Sequence, residues 1–409
     1  MAEFAASYDF LGNAGDCLFF LTDLEAPRSR VIALDVSAEP PRRIEVVPEA
    51  ADVLEEGALC GGELVLAYLK DAASEVRRFA LDGTPKGTLE LPGLGAVAGL
   101  SGKAGDPEAF FQFQSFTHPA AVCRLDLSQE EAAVWHQPTV DFDPRLYETR
   151  QVFVDSKDGT KVPVFVTAKK DLARDGERPA LLCGYGGFRV SLLPQFSPGA
   201  LLMMERGGVY AVANLRGGGE YGEPWHRAGT REKKQNVFDD FIAAAEWLCA
   251  SGLTSPKRLA IAGASNGGLL VGACLAQRPD LFAAALPDVG VFDLLRFQKF
   301  TIGWAWISDY GTSDDARDFA FLQRISPLHN LVPGERYPAT LITTSDHDDR
   351  VVPAHSFKFA AALQAAQGGD APVLIRIGQR AGHGLGKPTS RLIEETADRF
   401  SFLIEVLRS

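Results

Sequence analysis

The stretch 259-LAIAGASNGGLLVG-272 decides the fold class, because it places a single serine in a glycine-rich turn between two apolar runs. LAIA is typical of a buried strand and 268-GLLVGACLAQ-277 of a helix, while Gly263, Ser265 and Gly267 fit the pattern G-x-S-x-G. A strand that turns this sharply into a helix strains its apex residue and presents that side chain above the sheet. The pattern predicts that Ser265 is a nucleophile and that the amide of Asn266, near a helix N-terminus, stabilises an oxyanion. The alternative is a serine in an ordinary strand-to-helix turn, such as a phosphate site.

The chain around this motif, from about residue 146 to 409, alternates short apolar runs with longer helical patterns. Segments 238–252 and 355–369 are typical of helices. Eight runs predict strands: 151–156, 162–168, 180–185, 209–215, 259–264, 283–289, 339–346 and 373–378. Strands alternating with helices form a largely parallel sheet covered on both faces. We therefore predict an α/β-hydrolase domain over 146–409, with Ser265 after its fifth strand.

Residues 1–145 follow a different pattern, with short strands and a repeat. Apolar strands at 17–23, 64–71 and 109–116 are each followed by a strand that ends in Leu-Asp. The three aspartates, Asp35, Asp82 and Asp126, are separated by intervals of 40–50 residues, which is the period of propeller blades. The repeat predicts a partial β-propeller of about three blades over 1–145, and the alternative is a generic antiparallel domain.

Composition excludes several classes of function. The formal net charge of −12 argues against nucleic acid as a partner, because phosphate binding requires a basic face. The six cysteines contain no CxxC pair and no metal-ligand spacing, so buried free thiols in a reducing compartment are expected. No apolar run approaches the ~20 residues of a membrane helix, and the first residues show no signal peptide. We expect a cytoplasmic protein with no membrane, metal or cofactor requirement.

A serine nucleophile needs a base and an acid, which follow it in that fold in the order acid, then histidine. His383 lies in the glycine-rich loop AGHGLGKP after the eighth strand, where the base belongs, whereas His355 begins an amphipathic helix. The acid follows the seventh strand, and 346-DHDDRVVP-353 offers three aspartates, numbers 346, 348 and 349, among which the residues alone do not decide. GYGGF (184–188) follows the third strand, so the Tyr185 hydroxyl is a candidate second oxyanion donor.

The chain resembles the prolyl oligopeptidase family over essentially its whole length. The resemblance rests on several motifs that occur in the family's order: SKDGTKVPVF, GYGGF, NLRGGGEYGEPWH, SPKRLAIAGASNGGLLV, FTIGWAWISDYG, DHDDRVVPAHS and AGHGLGKPT. It implies a serine peptidase that cleaves short peptides on the carboxyl side of proline, through an acyl-enzyme and without a metal or organic cofactor.

The resemblance also implies a role for individual residues. Ser265 is similar to the family's nucleophile, Asp348 to its acid and His383 to its base, with Tyr185 and the Asn266 amide as oxyanion donors. Arg350 resembles the arginine that hydrogen-bonds a substrate carbonyl upstream of the proline. The proline pocket is implied at five aromatic and apolar positions: Phe188, Val291, Trp306, Tyr310 and Val351.

The chain departs from the family in its propeller, since the family has seven closed blades and only about three are visible here. An incomplete propeller leaves strand edges unpaired, so association through these edges is expected. Two alternatives stay open. One is another serine hydrolase of the same fold, such as an esterase or a peptidase that cuts after basic residues. The other is an inactive fragment that only associates through its open blades.

Overall fold

The computed structural model describes residues 6–128, 131–384 and 386–408, and these residues form two compact units. The first unit comprises Met1–Arg145, Leu193–Ser197 and Gly219–Pro224, and the second comprises Leu146–Leu192, Pro198–Gly218 and Trp225–Ser409. Two short segments from within the predicted hydrolase domain, Leu193–Ser197 and Gly219–Pro224, thus group with the first unit. A single cut in the sequence does not anticipate this. The domain boundary at 145/146 stays a prediction.

In the described part of the first unit, twelve strands form three four-stranded antiparallel sheets, each in sequential order. The first sheet contains β1 (Tyr8–Ala14), β2 (Cys17–Thr22), β3 (Arg30–Asp35) and β4 (Arg42–Val47); the second contains β5 (Val53–Cys60), β6 (Glu63–Lys70), β7 (Ala73–Ala80) and β8 (Pro85–Leu89); the third contains β9 (Ala96–Gly102), β10 (Glu108–Gln114), β11 (Ala121–Asp126) and β12 (Glu131–His136). This is the predicted three-blade arrangement of a β-propeller, and it confirms that prediction.

The middle blade is buried on both faces, as β6 shows. Leu64 and Leu66 contribute to the core shared with the first sheet, whereas Val65 and Ala67 contribute to the core shared with the third. Successive side chains of a strand point to opposite faces, so an uninterrupted apolar run such as LVLAYL serves both cores at once. The sequence located only the two inner strands of each blade. The outer strands are more polar or glycine-interrupted: four of the five residues of β8 are exposed.

The second unit is built on an eight-stranded sheet, counted over the described residues. Its strands are β13 (Tyr147–Asp155), β14 (Lys161–Lys169), β15 (Ala180–Gly184), β16 (Val209–Ala213), β17 (Leu259–Ala264), β18 (Ala284–Asp288), β19 (Ala339–Ser345) and β20 (Val373–Gly378). Their order is β13-β14-β16-β15-β17-β18-β19-β20, with antiparallel pairing from β13 to β16 and parallel pairing from there on. This arrangement confirms the predicted α/β-hydrolase sheet, and each strand was predicted to within four residues.

Helices cover both faces of this sheet. The α-helices are α1 (Pro198–Glu205), α2 (Glu223–Arg227), α3 (Gln235–Ala250), α4 (Asn266–Gln277), α5 (Ile307–Tyr310), α6 (Ala316–Ile325), α7 (Ala354–Ala366) and α8 (Thr389–Val406). The 3-10 helices are Pro144–Leu146, Arg231–Lys233, Pro279–Leu281, Phe297–Lys299, Gly303–Trp306 and Pro327–His329. Helices α3, α4 and α7 contribute to the core on one face, and α1 and α8 to the core on the other. Because the strands from β16 onward run parallel, their carboxyl ends meet at one rim of the sheet. Ligands bind at this rim in open α/β sheets.

Two features are absent from the described residues. No helix among them combines the length and apolar character needed to cross a membrane. No cluster of three or more histidine, cysteine, aspartate or glutamate side chains there could hold a metal ion.

Candidate active site

The turn between β17 and α4 has the geometry of a nucleophile elbow. Ser265 has φ 59° and ψ −117°, which is a strained conformation for a residue with a side chain. Its amide donates to the carbonyl of Asp288 on the neighbouring strand at 2.8 Å, which fixes the turn against the sheet. A Cβ on Gly263 would lie 2.4 Å from the carbonyl oxygen of Gly267, and one on Gly267 would lie 2.7 Å from that of Gly184. The glycines of the pattern are therefore required by close backbone contacts.

An aspartate–histidine pair lies on the loops after β19 and β20. His383 Nδ1 and Asp348 Oδ2 are 2.6 Å apart, and the Asp348 side chain is fully buried. The other carboxylate oxygen, Oδ1, accepts from the amides of Arg350 at 3.0 Å and Val351 at 2.9 Å. A carboxylate held in this way orients the imidazole.

The other two candidate acids differ from Asp348 in exposure. Asp346 and Asp349 are exposed, and Asp346 pairs instead with the exposed His347 at 2.7 Å. His355 is buried, and its Nδ1 accepts from the amide of Asp293 at 3.1 Å. Burial lowers the pKa of His355 to about 4. His355 is thus a neutral core residue.

Tyr185 lies directly after β15, beside the elbow. Its phenol is close enough to the Ser265 side chain for that side chain to act on the phenol's pKa. Burial raises the pKa of Tyr185, while the Ser265 side chain and the charge of Arg350 oppose the rise. The phenol therefore stays protonated at neutral pH and can donate a hydrogen bond. Among the described residues, His383 is hydrogen-bonded to Asp348, and no hydrogen bond joins the side chains of Ser265 and His383 directly.

Asn266 is the first residue of α4, so no carbonyl within the helix accepts from its backbone N–H. Its side chain is buried, and Nδ2 donates to the carbonyl of Tyr185. Its Oδ1 accepts from Lys234 Nζ at 3.0 Å and from the Tyr310 hydroxyl at 2.8 Å. Sequence reasoning missed Lys234, because a lysine within REKKQN looks like any solvated charge.

The aromatic residues predicted for the proline pocket form a connected group. The ring centroids of Phe188 and Tyr310 are 5.3 Å apart in an edge arrangement. Phe297 lies 5.3 Å from Tyr310 and stacks on Trp306 at 6.3 Å, so it links the two predicted residues. Trp306 and Phe188 are partly exposed, whereas Tyr310 is almost fully buried. Phe297 was not predicted, although it precedes the FTIGWAW motif that contains Trp306.

The remaining predicted positions differ from one another in exposure. Val291 and Val351 are each 2% exposed and belong to the same core as Tyr310. The Arg350 residue is exposed, and its charge acts on Tyr185. The polar site of Tyr185 thus has a cationic side chain, Arg350, beside it. In the adjoining aromatic group, Phe188 and Trp306 are partly open to solvent.

Sequence comparison matches both halves of the chain to known families. Residues 194–409 match the Prolyl oligopeptidase family, and residues 1–138 match the family described as Prolyl oligopeptidase, N-terminal beta-propeller domain. The chain is 44% identical over 403 residues to the prolyl endopeptidase of Elizabethkingia miricola, covering 98% of this chain and 57% of that protein.

Solved structures agree with this assignment. A structure from a study of two prolyl endopeptidases matches with a TM-score of 0.93 and 47% identity, over 98% of this chain and 60% of that one. Prolyl oligopeptidase B of Galerina marginata, bound to a 35mer hydrolysis and macrocyclization substrate, matches with a TM-score of 0.93 and 37% identity, over 98% of this chain and 58% of that one. The chain thus spans less than two thirds of the length of the relatives it matches. With a family profile over more than half of its residues, the chain belongs to the prolyl oligopeptidase family.

Proposed function

We propose that the chain is a serine peptidase that cleaves short peptides on the carboxyl side of proline. The observation that carries the proposal is the buried Asp348–His383 pair, 2.6 Å apart, on the same sheet rim as the strained Ser265. Relatives that are prolyl endopeptidases support the substrate class.

The proposed reaction follows the serine–histidine–aspartate template. Ser265 Oγ attacks the prolyl carbonyl carbon while its proton passes to His383 Nε2, and Asp348 stabilises the resulting imidazolium. The hydrogen bond between Ser265 and His383 forms as substrate binds, since catalytic hydrogen bonds are often loose without it. His383 then protonates the leaving nitrogen as the C–N bond breaks. Water releases the acyl group by the same steps in reverse.

The oxyanion of the tetrahedral intermediate is stabilised by two donors. The Tyr185 phenol is close enough to the Ser265 side chain to be affected by it, and the Asn266 N–H has no acceptor within its helix. As charge develops on the carbonyl oxygen, both donors turn to it, which is worth about 3 kcal/mol for each donor of this kind.

Specificity for proline is assigned to the aromatic group. The partly exposed indole of Trp306 offers a flat apolar face to a pyrrolidine ring. Trp306 and Phe188 both pack against the core that contains Val291, Tyr310 and Val351. A charged side chain would lose its hydration there without a partner. Arg350 is assigned to a substrate carbonyl upstream of the proline.

The experiment compares Gly-Pro and Gly-Arg nitroanilides with the 409-residue chain, together with stoichiometric labelling by a fluorophosphonate. Hydrolysis of the prolyl substrate, inhibition by a proline aldehyde and loss of labelling in Ser265→Ala are expected. Preference for the arginyl substrate or for a simple ester would identify a different serine hydrolase. A chain that neither hydrolyses nor labels would be an inactive member of the family.

We also propose a cytoplasmic location and association through the blade edges. All six cysteines lie in the described part of the chain and none is in a disulfide, which fits a reducing compartment. Trp135, on the edge strand β12, is 66% exposed and Phe10, on β1, is 59% exposed. Sedimentation velocity at increasing concentration tests association, and a monomer at every concentration would contradict it.

A further inference from the structure

A buried lysine lies behind the nucleophile elbow. The Lys234 side chain is 1% exposed, although it follows the exposed 3-10 helix Arg231–Lys233 and directly precedes α3. Burying a lysine is costly, and an apolar residue of similar size usually serves packing at least as well. Its presence at this position therefore calls for a reason other than stability.

The Lys234 ammonium joins the two segments that carry the oxyanion donors. Nζ donates to the carbonyl of Gly186 at 2.8 Å and to Asn266 Oδ1 at 3.0 Å. The Asn266 amide in turn donates to the carbonyl of Tyr185. The loop after β15 and the start of α4 are thus linked through one cation and one side-chain amide.

Close contacts allow little other adjustment in this region. A Cβ on Gly187 would lie 2.7 Å from Asn266 Nδ2, and one on Gly186 would lie 2.2 Å from a methyl group of Val237. The GYGGF loop therefore lies directly on Asn266 and on α3. Close contacts and the hydrogen bonds of Lys234 and Asn266 together set the relative position of these backbones.

The charge of Lys234 is only loosely neutralised. Asp309 Oδ2 lies 3.9 Å from Nζ, while the same carboxylate accepts from the Phe188 amide at 3.2 Å and lies 2.8 Å from His226 Nε2. Burial lowers the pKa of Lys234 to about 8, against the attraction of Asp309. The Lys234 ammonium is therefore held mainly by the two oxygens that accept from it, the Gly186 carbonyl and Asn266 Oδ1.

We propose that Lys234 is a positioning residue: by binding the Gly186 carbonyl and the Asn266 side chain together, it aims the Tyr185 hydroxyl and the Asn266 N–H at one oxyanion. This inference rests on the proposed function. Lys234 touches no substrate atom, so it acts through the two donors. Its loss weakens binding of the transition state more than binding of the substrate.

The test is Lys234→Met, which keeps the length of the side chain and removes its donors. We expect kcat for a Gly-Pro nitroanilide to fall by about tenfold or more, because removal of an oxyanion donor itself costs about 10²- to 10³-fold. Inhibition by a proline aldehyde, whose adduct carries the oxyanion, weakens by the same factor. KM and the inhibition constant of the corresponding prolinol, which forms no adduct, stay nearly constant. A general loosening of the structure would instead weaken the aldehyde and the prolinol alike.

Lys233→Met is the matched control, since Lys233 is the exposed neighbour on the same segment, and we expect wild-type kinetics. Should Lys234→Met lack a cooperative unfolding transition, Tyr310→Phe decides, because it removes the second donor to the same Asn266 oxygen. That variant should lower kcat and aldehyde affinity severalfold at constant KM.

The outcomes separate the two proposals. An inactive wild-type chain that does not label at Ser265 refutes the proposed function, and this inference with it. An active wild type whose Lys234→Met variant folds and keeps its kcat and aldehyde inhibition refutes the inference alone.

Discussion

Replacing Asp348 by asparagine tests the candidate site most directly. Asp348 Oδ1 accepts from two backbone amides, and Oδ2 faces His383 Nδ1 at 2.6 Å. An asparagine keeps the two amide bonds only if its own oxygen takes the Oδ1 position. Its NH₂ group then faces Nδ1, so the imidazole must accept at Nδ1 and carry its proton on Nε2. In that tautomer Nε2 cannot take the proton of Ser265.

The magnitude follows from the loss of the base. A wrong-tautomer histidine in a serine–histidine–aspartate site lowers kcat by about 10⁴-fold, which corresponds to about 5 kcal/mol of barrier. The shape of the site hardly changes, so KM for a Gly-Pro nitroanilide and the thermal midpoint should move little. Pre-steady-state acylation at pH 7 is the assay, since it reports the step that needs the base.

Matched controls are available on the same loop. Asp346→Asn and Asp349→Asn alter exposed carboxylates of the same motif, and we expect both variants to stay within about threefold of wild type, as surface substitutions usually do. The reasoning would be refuted if a folded Asp348→Asn enzyme acylated within tenfold of wild type. It would equally fail if Asp349→Asn caused the large loss instead.

Three further predictions follow from other contacts. Tyr185→Phe should lower kcat by about 10²-fold at constant KM, and an unchanged kcat would remove the phenol from the oxyanion site. Asp240→Asn should destabilise the second unit by about 3–5 kcal/mol, because Asp240 is a fully buried partner of Arg216 at 2.6 Å; urea denaturation measures this, and a loss below 1 kcal/mol would contradict it. The pKa of Lys234 falls to about 8 on folding, so the unfolded chain binds the proton more tightly than the folded chain. The free energy of unfolding of wild type, relative to that of Lys234→Met, should therefore rise between pH 8 and pH 10. Denaturation at both pH values checks the sign, and a fall would refute it.

Burial of the catalytic candidates has a consequence for their pH dependence. Tyr185 keeps its proton because burial raises its pKa, so its donation should persist across the neutral range. Lys234, by contrast, begins to lose its charge near pH 8. Alkaline conditions therefore affect the positioning cation before they affect the oxyanion donor that it supports.

The amino-acid sequence by itself determined the strand-turn-helix at Ser265, the eight strands of its sheet and the three-blade repeat. These features are encoded locally: a run of apolar residues, a glycine that avoids a clash, or a period of about 45 residues is visible without knowledge of distant contacts. The same reasoning found only the inner strands of each blade, since outer strands such as β8 are exposed and lack a strong apolar pattern.

Only the tertiary structure decided among residues of the same type. Asp346, Asp348 and Asp349 are equivalent as letters, and the choice depends on which carboxylate is buried against His383, thirty-five positions away. In the sequence, Lys234 resembles any solvated charge. In the structure it is buried at the start of α3, and its ammonium binds the GYGGF loop. Exposure and partners of a polar side chain are properties of segments brought together from distant parts of the chain, and no local pattern records them.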